Sequence, residues 1–292
     1  MKKHAILIQC HDNFDYLNEL INFFNDKRFD IYVHVDAKSE GLKKIIKQHN
    51  CHMIENRVDV KWGRFEQVEA TLRLLYLAQE KTGVENYEYL HLISGADIPL
   101  KSPGKIFDTL KDSNKNYLEF GKLPNQWSKG GLDRVEVYYP LWMIKRPKDW
   151  LKRAIRVLYR ETVLSTKVFK RKRIFQNIYG GSSWFSITGE CARKILQTLE
   201  KNDQYKIFFR NSLCPDEMFF QTLIMNSSES QNTTNDNLRY IDWSENNMGS
   251  PKNLSRQDLE SAQQTQKLFA RKVIDLNTAN YFIKKIKSDD KQ

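Results

Sequence analysis

The chain has 292 residues, 40% of them hydrophobic and 28% charged, with a formal net charge of +11 and four cysteines. That apolar content excludes a disordered chain, and no segment approaches the roughly 18 consecutive apolar residues of a membrane-spanning helix. Length and composition predict a water-soluble α/β domain with a sizeable core, or such a domain with an appendage.

The first apolar run, "AILIQ" at 5–9, reads as a strand. It is too short, and ends too soon at His11 and Asp12, for an export signal, so a cytoplasmic location is expected. A helical stretch "FDYLNELINFFND" follows, then a strand "DIYVHVD" at 30–36, a polar helix around 40–49 and a long amphipathic helix at 64–82. Next come "YEYLHLIS" at 87–94, a helix near 104–112 and "NYLEF" at 116–120. Strand and helix in repeated alternation predict βαβ units and a mainly parallel sheet with helices on both faces. Ligands bind such sheets beyond the carboxyl ends of the strands, where His34, Asp36, Ser94 and Asp97 fall.

The second half is less regular. Residues 149–160 form a basic amphipathic helix, and "GGSSWFSITGECARKILQTLE" at 180–200 reads as a Gly-Gly turn, a strand and a helix from about 189. A helix from Pro215 to about Met225 precedes a polar stretch, 226–237, expected to be a mobile loop. "LRYIDW" at 238–243 reads as a short strand, a loop and helix follow, and the tail from Lys284 is expected to fray. The whole is read as one domain, with a nucleotide-binding half over about 1–120 and an acceptor and catalytic half over about 121–285.

Charge is concentrated: residues 145–173 hold twelve Lys or Arg against Asp149 and Glu161, a net +10. Cys10, Cys51, Cys191 and Cys214 lie far apart without a CxxC pair, so reduced thiols are expected. His34 and Asp36 point to one strand face with no third ligand in view, which argues against a metal site. No GxGxxG, Walker A, HExxH or GxSxG motif occurs.

Two short motifs admit a structural and a chemical reading. In "GADIPLKSP" (95–103), Gly95 and Pro99 are turn residues and Asp97 caps the turn, or Asp97 meets a ligand. In "CPDE" (214–217), Pro215 at the first helical position with Asp216 and Glu217 in the first turn suits a helix N-terminus. The same position allows Glu217 to take a proton from an attacking hydroxyl as a general base.

Six segments in order carry a resemblance: "IYVHVDAKS", "VKWGRFEQVEATLRLL", "YLHLISGADIPLKS", "YGGSSWFSITGECARKI", "CPDEMFFQTL" and "KLFARKV". Together, over roughly residues 4–275, they resemble the core-2/I-branching β-1,6-N-acetylglucosaminyltransferase family, which includes protein xylosyltransferases. The resemblance implies a GT-A-like fold and inverting transfer of a sugar from a UDP-sugar to a glycan hydroxyl. It favours N-acetylglucosamine, with xylose or another hexose compatible, and it implies no divalent metal and no cofactor. It carries the catalytic base onto Glu217 and the diphosphate-binding Lys onto Lys272. The diphosphate Arg falls on Arg239, with Lys252 and Arg256 as competitors. Nucleotide contacts fall on Gln9, His11 and Asp36, and sugar contacts on Ser94, Asp97, Gly181, Ser182, Trp184 and Asp216.

An anchor, stem and disulfide framework like those of the animal enzymes are not expected here, and a glycan precursor or lipid-linked oligosaccharide is the expected acceptor. The basic segment 145–173 then meets the anionic inner face of the plasma membrane, or is a solvated basic face. A rival reading takes the basic segment with Trp150, Tyr159 and Phe169 as a nucleic-acid surface, and it is disfavoured because no nucleic-acid motif occurs. A metal-dependent GT-A transferase is a further alternative.

Overall fold

The computed structural model describes residues 2–139, 149–166, 171–245 and 250–289. In chain order the first part comprises β1 (Lys3–Cys10), α1 (Phe14–Phe23), β2 (Phe29–Val35), β3 (Cys51–Met53), α2 (Glu66–Lys81), β4 (Tyr87–Ser94), β5 (Asp97–Pro99), α3 (Pro103–Leu110), β6 (Asn116–Leu118) and β7 (Gly121–Lys122). Then follow α4 (Asp133–Glu136), α5 (Trp150–Thr166), β8 (Tyr179–Gly180), β9 (Phe185–Thr188), α6 (Gly189–Lys201), α7 (Gln204–Arg210) and α8 (Phe219–Met225). β10 (Thr233–Asn235), β11 (Arg239–Ile241), α9 (Arg256–Gln263), β12 (Phe269–Arg271) and α10 (Leu276–Asp289) complete the chain.

Seven strands form the central sheet in the order β10-β6-β9-β4-β1-β2-β3. β1 pairs in parallel with β2 and β4, β2 with β3, and β6 with β10, while β9 runs antiparallel between β4 and β6. Successive residues of β1 alternate between two cores. Ala5 and Leu7 join α2 and α6 through Val68, Leu72 and Ile195 on one face. Ile6 and Ile8 join α1, α3 and α10 through Leu17, Ile106 and Phe282 on the other. A strand buried on both faces reads as a continuous apolar run, which is why "AILI" carries no polar alternation. The predicted α/β architecture with helices on both faces is what forms.

Several local expectations change. Around 40–49 a single 3₁₀ turn, Leu42–Lys44, replaces the predicted helix, because Ile45 alone of this segment is buried in the core and the apolar stripe is too short to hold a helix. The helix expected from Pro215 breaks at Met218: a 3₁₀ turn spans Pro215–Glu217 and α8 starts at Phe219. The polar stretch 226–237 is not an irregular loop. It forms a 3₁₀ turn, Ser228–Asn232, and edge strand β10, pinned where buried Glu229 accepts from Asn116 Nδ2 at 3.0 Å and pairs with Lys194 at 2.5 Å. Instead of fraying, the tail belongs to α10 as far as Asp289, held by buried Phe282, Ile283 and Ile286. β9 and β10 lie in the same sheet as β1, β2, β3, β4 and β6, while β5 pairs with β12 in a separate three-stranded sheet with β11.

Candidate active site

The carboxyl ends of three neighbouring parallel strands meet at one row: Gln9 on β1 is in register with His34 on β2 and Ser94 on β4. Gln9 Nε2 donates to Thr71 Oγ1 at 2.6 Å and to the Gln67 carbonyl at 3.2 Å, both on α2. Asp36, just past β2, is buried; its backbone N–H donates to Cys10 O at 2.8 Å and its carboxylate accepts the Lys38 N–H at 3.0 Å. His11 lies exposed beyond β1, 3.3 Å from Asp12. His34 Nε2 accepts the Val58 N–H at 2.9 Å, so this nitrogen is already used within the protein. Burial lowers the His34 pKa to about 4, and the ring is neutral at physiological pH.

The Pro215–Glu217 turn sits against the start of α2. Cys214 adopts a left-handed conformation and donates its N–H to Gly63 O at 2.9 Å, and Phe219 packs edge-on against Phe65 with ring centroids 5.7 Å apart. The segment 63–71 therefore holds the carboxylate turn at one end and the Gln9 side chain at the other.

The 180–184 loop closes over this turn from a second side. Gly181 N–H donates to the Glu217 carbonyl at 2.9 Å, Ser183 Oγ to Asp216 Oδ2 at 2.7 Å, and Gln221 Nε2 to Ser182 O at 2.6 Å. Both glycines are required by close approach. A Cβ on Gly181 would stand 2.0 Å from the Glu119 carbonyl oxygen, and one on Gly180 would stand 2.4 Å from the Trp127 ring.

The two carboxylates of the turn have different surroundings. The Asp216 carboxyl is pushed up to about 7, by burial first and then by the charge of Glu217 beside it. Glu217 keeps 36% of its side chain exposed and its Oε2 accepts from Arg134 Nη1. The Arg134 guanidinium lies 4.0 Å over the Trp127 ring; burial works against its charge, and the Glu217 carboxylate restores it, leaving Arg134 above its ordinary pKa. Glu119 is raised by burial and then by Glu217, which marks a third carboxylate close by.

From Trp184 a second chain of contacts runs back to the strand ends. The Arg271 guanidinium lies 4.3 Å over the Trp184 ring, and Arg271 pairs in antiparallel register with Asp97, its Nη1 3.5 Å from Asp97 Oδ1. Asp97 is fully buried; Oδ2 accepts the Ser94 N–H at 3.0 Å and Oδ1 the Ser94 hydroxyl at 2.7 Å. Lys272 Nζ donates to Ser250 Oγ at 2.6 Å.

The site residues named from sequence thus fall in two connected groups, one around Gln9, Asp36 and Ser94 and one around Gly181, Ser182, Trp184, Asp216 and Glu217. Two of them change character. Arg239 is buried: Nη2 donates to Leu92 O at 3.0 Å and Phe185 O at 2.6 Å, Nη1 to Ser186 Oγ at 2.8 Å, and the guanidinium lies 5.0 Å over Phe269. Burial lowers its pKa to about 9. It ties β4, β9 and β11 together from inside, which leaves its charge turned away from solvent. Asp97 is likewise an interior carboxylate that fixes Ser94 and Arg271, not a group a sugar reaches. Of the competitors to Arg239, Lys252 pairs with Asp258 at 3.1 Å, and exposed Arg256 lies 4.4 Å over Tyr281.

Sequence reading missed Arg134, Trp127, Glu119 and Arg271. Arg271 was within reach, since it precedes Lys272 in "LFARK". Nothing local distinguishes Arg134, whose partner lies 83 residues on. Among the described residues, no group of three or more His, Cys, Asp or Glu could hold a metal ion. No helix among them is long and apolar enough to cross a membrane.

Strand ends beside a carboxylate turn and a Gly-Gly-Ser-Ser-Trp loop occupy the position where open α/β sheets bind their ligands. The chain belongs to the Core-2/I-Branching enzyme family, whose profile matches residues 6–268. It is similar to xylosyltransferase 2 of Rattus norvegicus, 25% identical over 235 residues that cover 75% of this chain and 24% of that protein. Xylosyltransferase 2 of Bos taurus is 24% identical over 283 residues, covering 88% of this chain and 30% of that protein. The chain thus spans about a quarter to a third of the length of these relatives. Against the apo structure of the bifunctional glycosyltransferase WbbM, the TM-score is 0.41 with 11% identity, over 94% of this chain and 46% of that one.

Proposed function

We propose that the chain is an inverting glycosyltransferase of GT-A-like fold that moves a sugar from a UDP-sugar to a glycan hydroxyl, with Glu217 as general base and no divalent metal. The observation that carries this is the contrast within the turn. Asp216 is hydrogen-bonded to Ser183 and its carboxyl is raised by burial and by its neighbour's charge, whereas Glu217 is paired with Arg134.

Glu217 takes the proton of the acceptor hydroxyl as its oxygen attacks the anomeric carbon, and the bond from that carbon to the diphosphate breaks on the opposite face. One base suffices, with no covalent intermediate. The departing diphosphate gains negative charge, which fixed cations stabilise. Lys272 and Arg271 are the cations for this role. The Arg271 side chain is 16% exposed, with Nη1 turned inward to Asp97 and the guanidinium lying over the Trp184 ring. Gln9, His11 and Asp36 surround the nucleoside, and Trp184, held flat by Arg271, gives a sugar ring a stacking face.

The family supports a nucleotide-sugar donor and a glycan acceptor; N-acetylglucosamine and xylose are both donors compatible with it. Turnover of a panel of UDP-sugars in excess chelator tests donor and metal together. Glu217→Gln abolishes transfer while UDP still protects the chain in a thermal melt. Transfer that survives the substitution refutes the base, and transfer lost in chelator refutes metal independence.

A further inference from the structure

Helix α5 is mounted with its apolar side outward. Stepping 100° per residue, Arg156, Tyr159, Arg160 and Val163 fall on one side, and this side meets the protein. Val163 packs with Val137 and Tyr139, Arg156 lies 5.8 Å from the centre of the Tyr139 ring, and Tyr159 donates its hydroxyl to Tyr138 O at 2.7 Å. The opposite side carries Trp150, Leu151, Ile155, Val157 and Leu158, which are 76%, 52%, 44%, 49% and 69% exposed. A helix on a soluble domain ordinarily buries that stripe, and five large apolar side chains on one outer face are a contiguous patch that marks a contact surface.

We infer that α5 is a lipid-docking helix, which lays this stripe into the headgroup region of an anionic phospholipid bilayer. Charge selects the occupant. Lys152 and Arg153 are exposed in the first turn of the helix, within a segment of net +10, so an anionic surface is the complementary one for the stripe. The acid on the outer side, Glu161, is neutralised by Lys129 at 3.0 Å and Arg160 at 2.9 Å. A second copy of the chain is a poor occupant. A two-fold interface through this face would set one segment of net +10 against its identical partner.

The helix is anchored to the segment that carries Arg134, and its cluster includes Leu213, two residues before Pro215. Docking therefore brings the elements that carry Arg134 and Leu213 to the membrane surface. Resting on the transferase reading above, the acceptor is then a glycan carried on a lipid anchor.

The test is co-sedimentation of the full chain with phosphatidylcholine vesicles, with and without phosphatidylglycerol, at low and high salt. Binding requires the anionic lipid and weakens with salt. Leu151→Gln combined with Leu158→Gln lowers the bound fraction about tenfold or more. Both side chains are exposed, so the thermal melt and UDP protection of this variant match those of the parent chain. Absence of binding to anionic vesicles overturns the inference. So does a variant that binds like the parent, or one whose effect is to dissociate a dimer in size-exclusion chromatography. Binding is read without turnover, so a failed Glu217 assignment leaves this result intact, and the reverse holds too.

Discussion

Arg134→Gln is the sharpest probe of how Glu217 is held. It removes a guanidinium that donates to Glu217 Oε2 and stacks on Trp127. A hydrogen bond to a charged group contributes roughly 1.5–3 kcal/mol when shielded from water. Here the two side chains are 25% and 36% exposed, and solvent screening brings the expected loss to about 1 kcal/mol. That corresponds to about a fivefold fall in kcat/KM at neutral pH. Arg134→Lys keeps a charge without the planar fork and falls between the two. The assay is kcat/KM for transfer from pH 5 to 9, alongside Glu217→Gln, whose loss is on the order of 10²–10⁴. An Arg134→Gln variant that keeps the parental kcat/KM refutes the positioning of Glu217 by Arg134.

Arg239→Met leaves the carbonyls of Leu92 and Phe185 without their donors, so thermal denaturation shows a loss of roughly 2–4 kcal/mol. A chain of unchanged stability that has lost UDP affinity would return Arg239 to the diphosphate. Arg271→Gln weakens UDP binding in calorimetry with little change in melting temperature; unchanged affinity removes Arg271 from the diphosphate site. Gly181→Ala drives a methyl into the Glu119 carbonyl and costs about 1–3 kcal/mol together with most of the transfer rate. An alanine variant with parental melting and activity contradicts the close approach. The Asp216 carboxyl, raised from 3.8 to about 7, binds its proton more tightly in the folded chain than in the unfolded one. Its stabilising contribution is therefore full below about pH 4 and is lost as pH rises through about 7. Asp216→Asn flattens the stability profile across that window, and an unaltered slope counts against the desolvation.

Much of the fold was written in local pattern. "AILI" and "YLHLI" are apolar on both faces, a property of strands covered by helices on both sides, and the 64–82 stripe is long enough to hold a helix by itself. The resemblance carried by "CPDE" and "LFARK" singled out Glu217 and Lys272 as candidates, while local pattern by itself left "CPDE" open between a helix start and a base. The sequence could not show that the carboxylate turn and the helix after it are separate elements. That break at Met218 follows from packing Phe219 on Phe65 and from the left-handed Cys214.

Other features depend on partners that only the fold brings close. Arg239 falls on the diphosphate by resemblance, yet its partners come from residues 92, 185 and 186, and those bonds turn it inward. The polar 226–237 stretch has the composition of a loop, but one buried ion pair between Glu229 and Lys194 and an open sheet edge make it a strand. Periodicity also gave α5 its two faces without saying which one points out. An amphipathic pattern records that two environments exist, and the neighbours in space decide which face meets which. Here Tyr139 and Val137 took the side bearing Arg156 and Val163 and left the leucines and Trp150 to the outside.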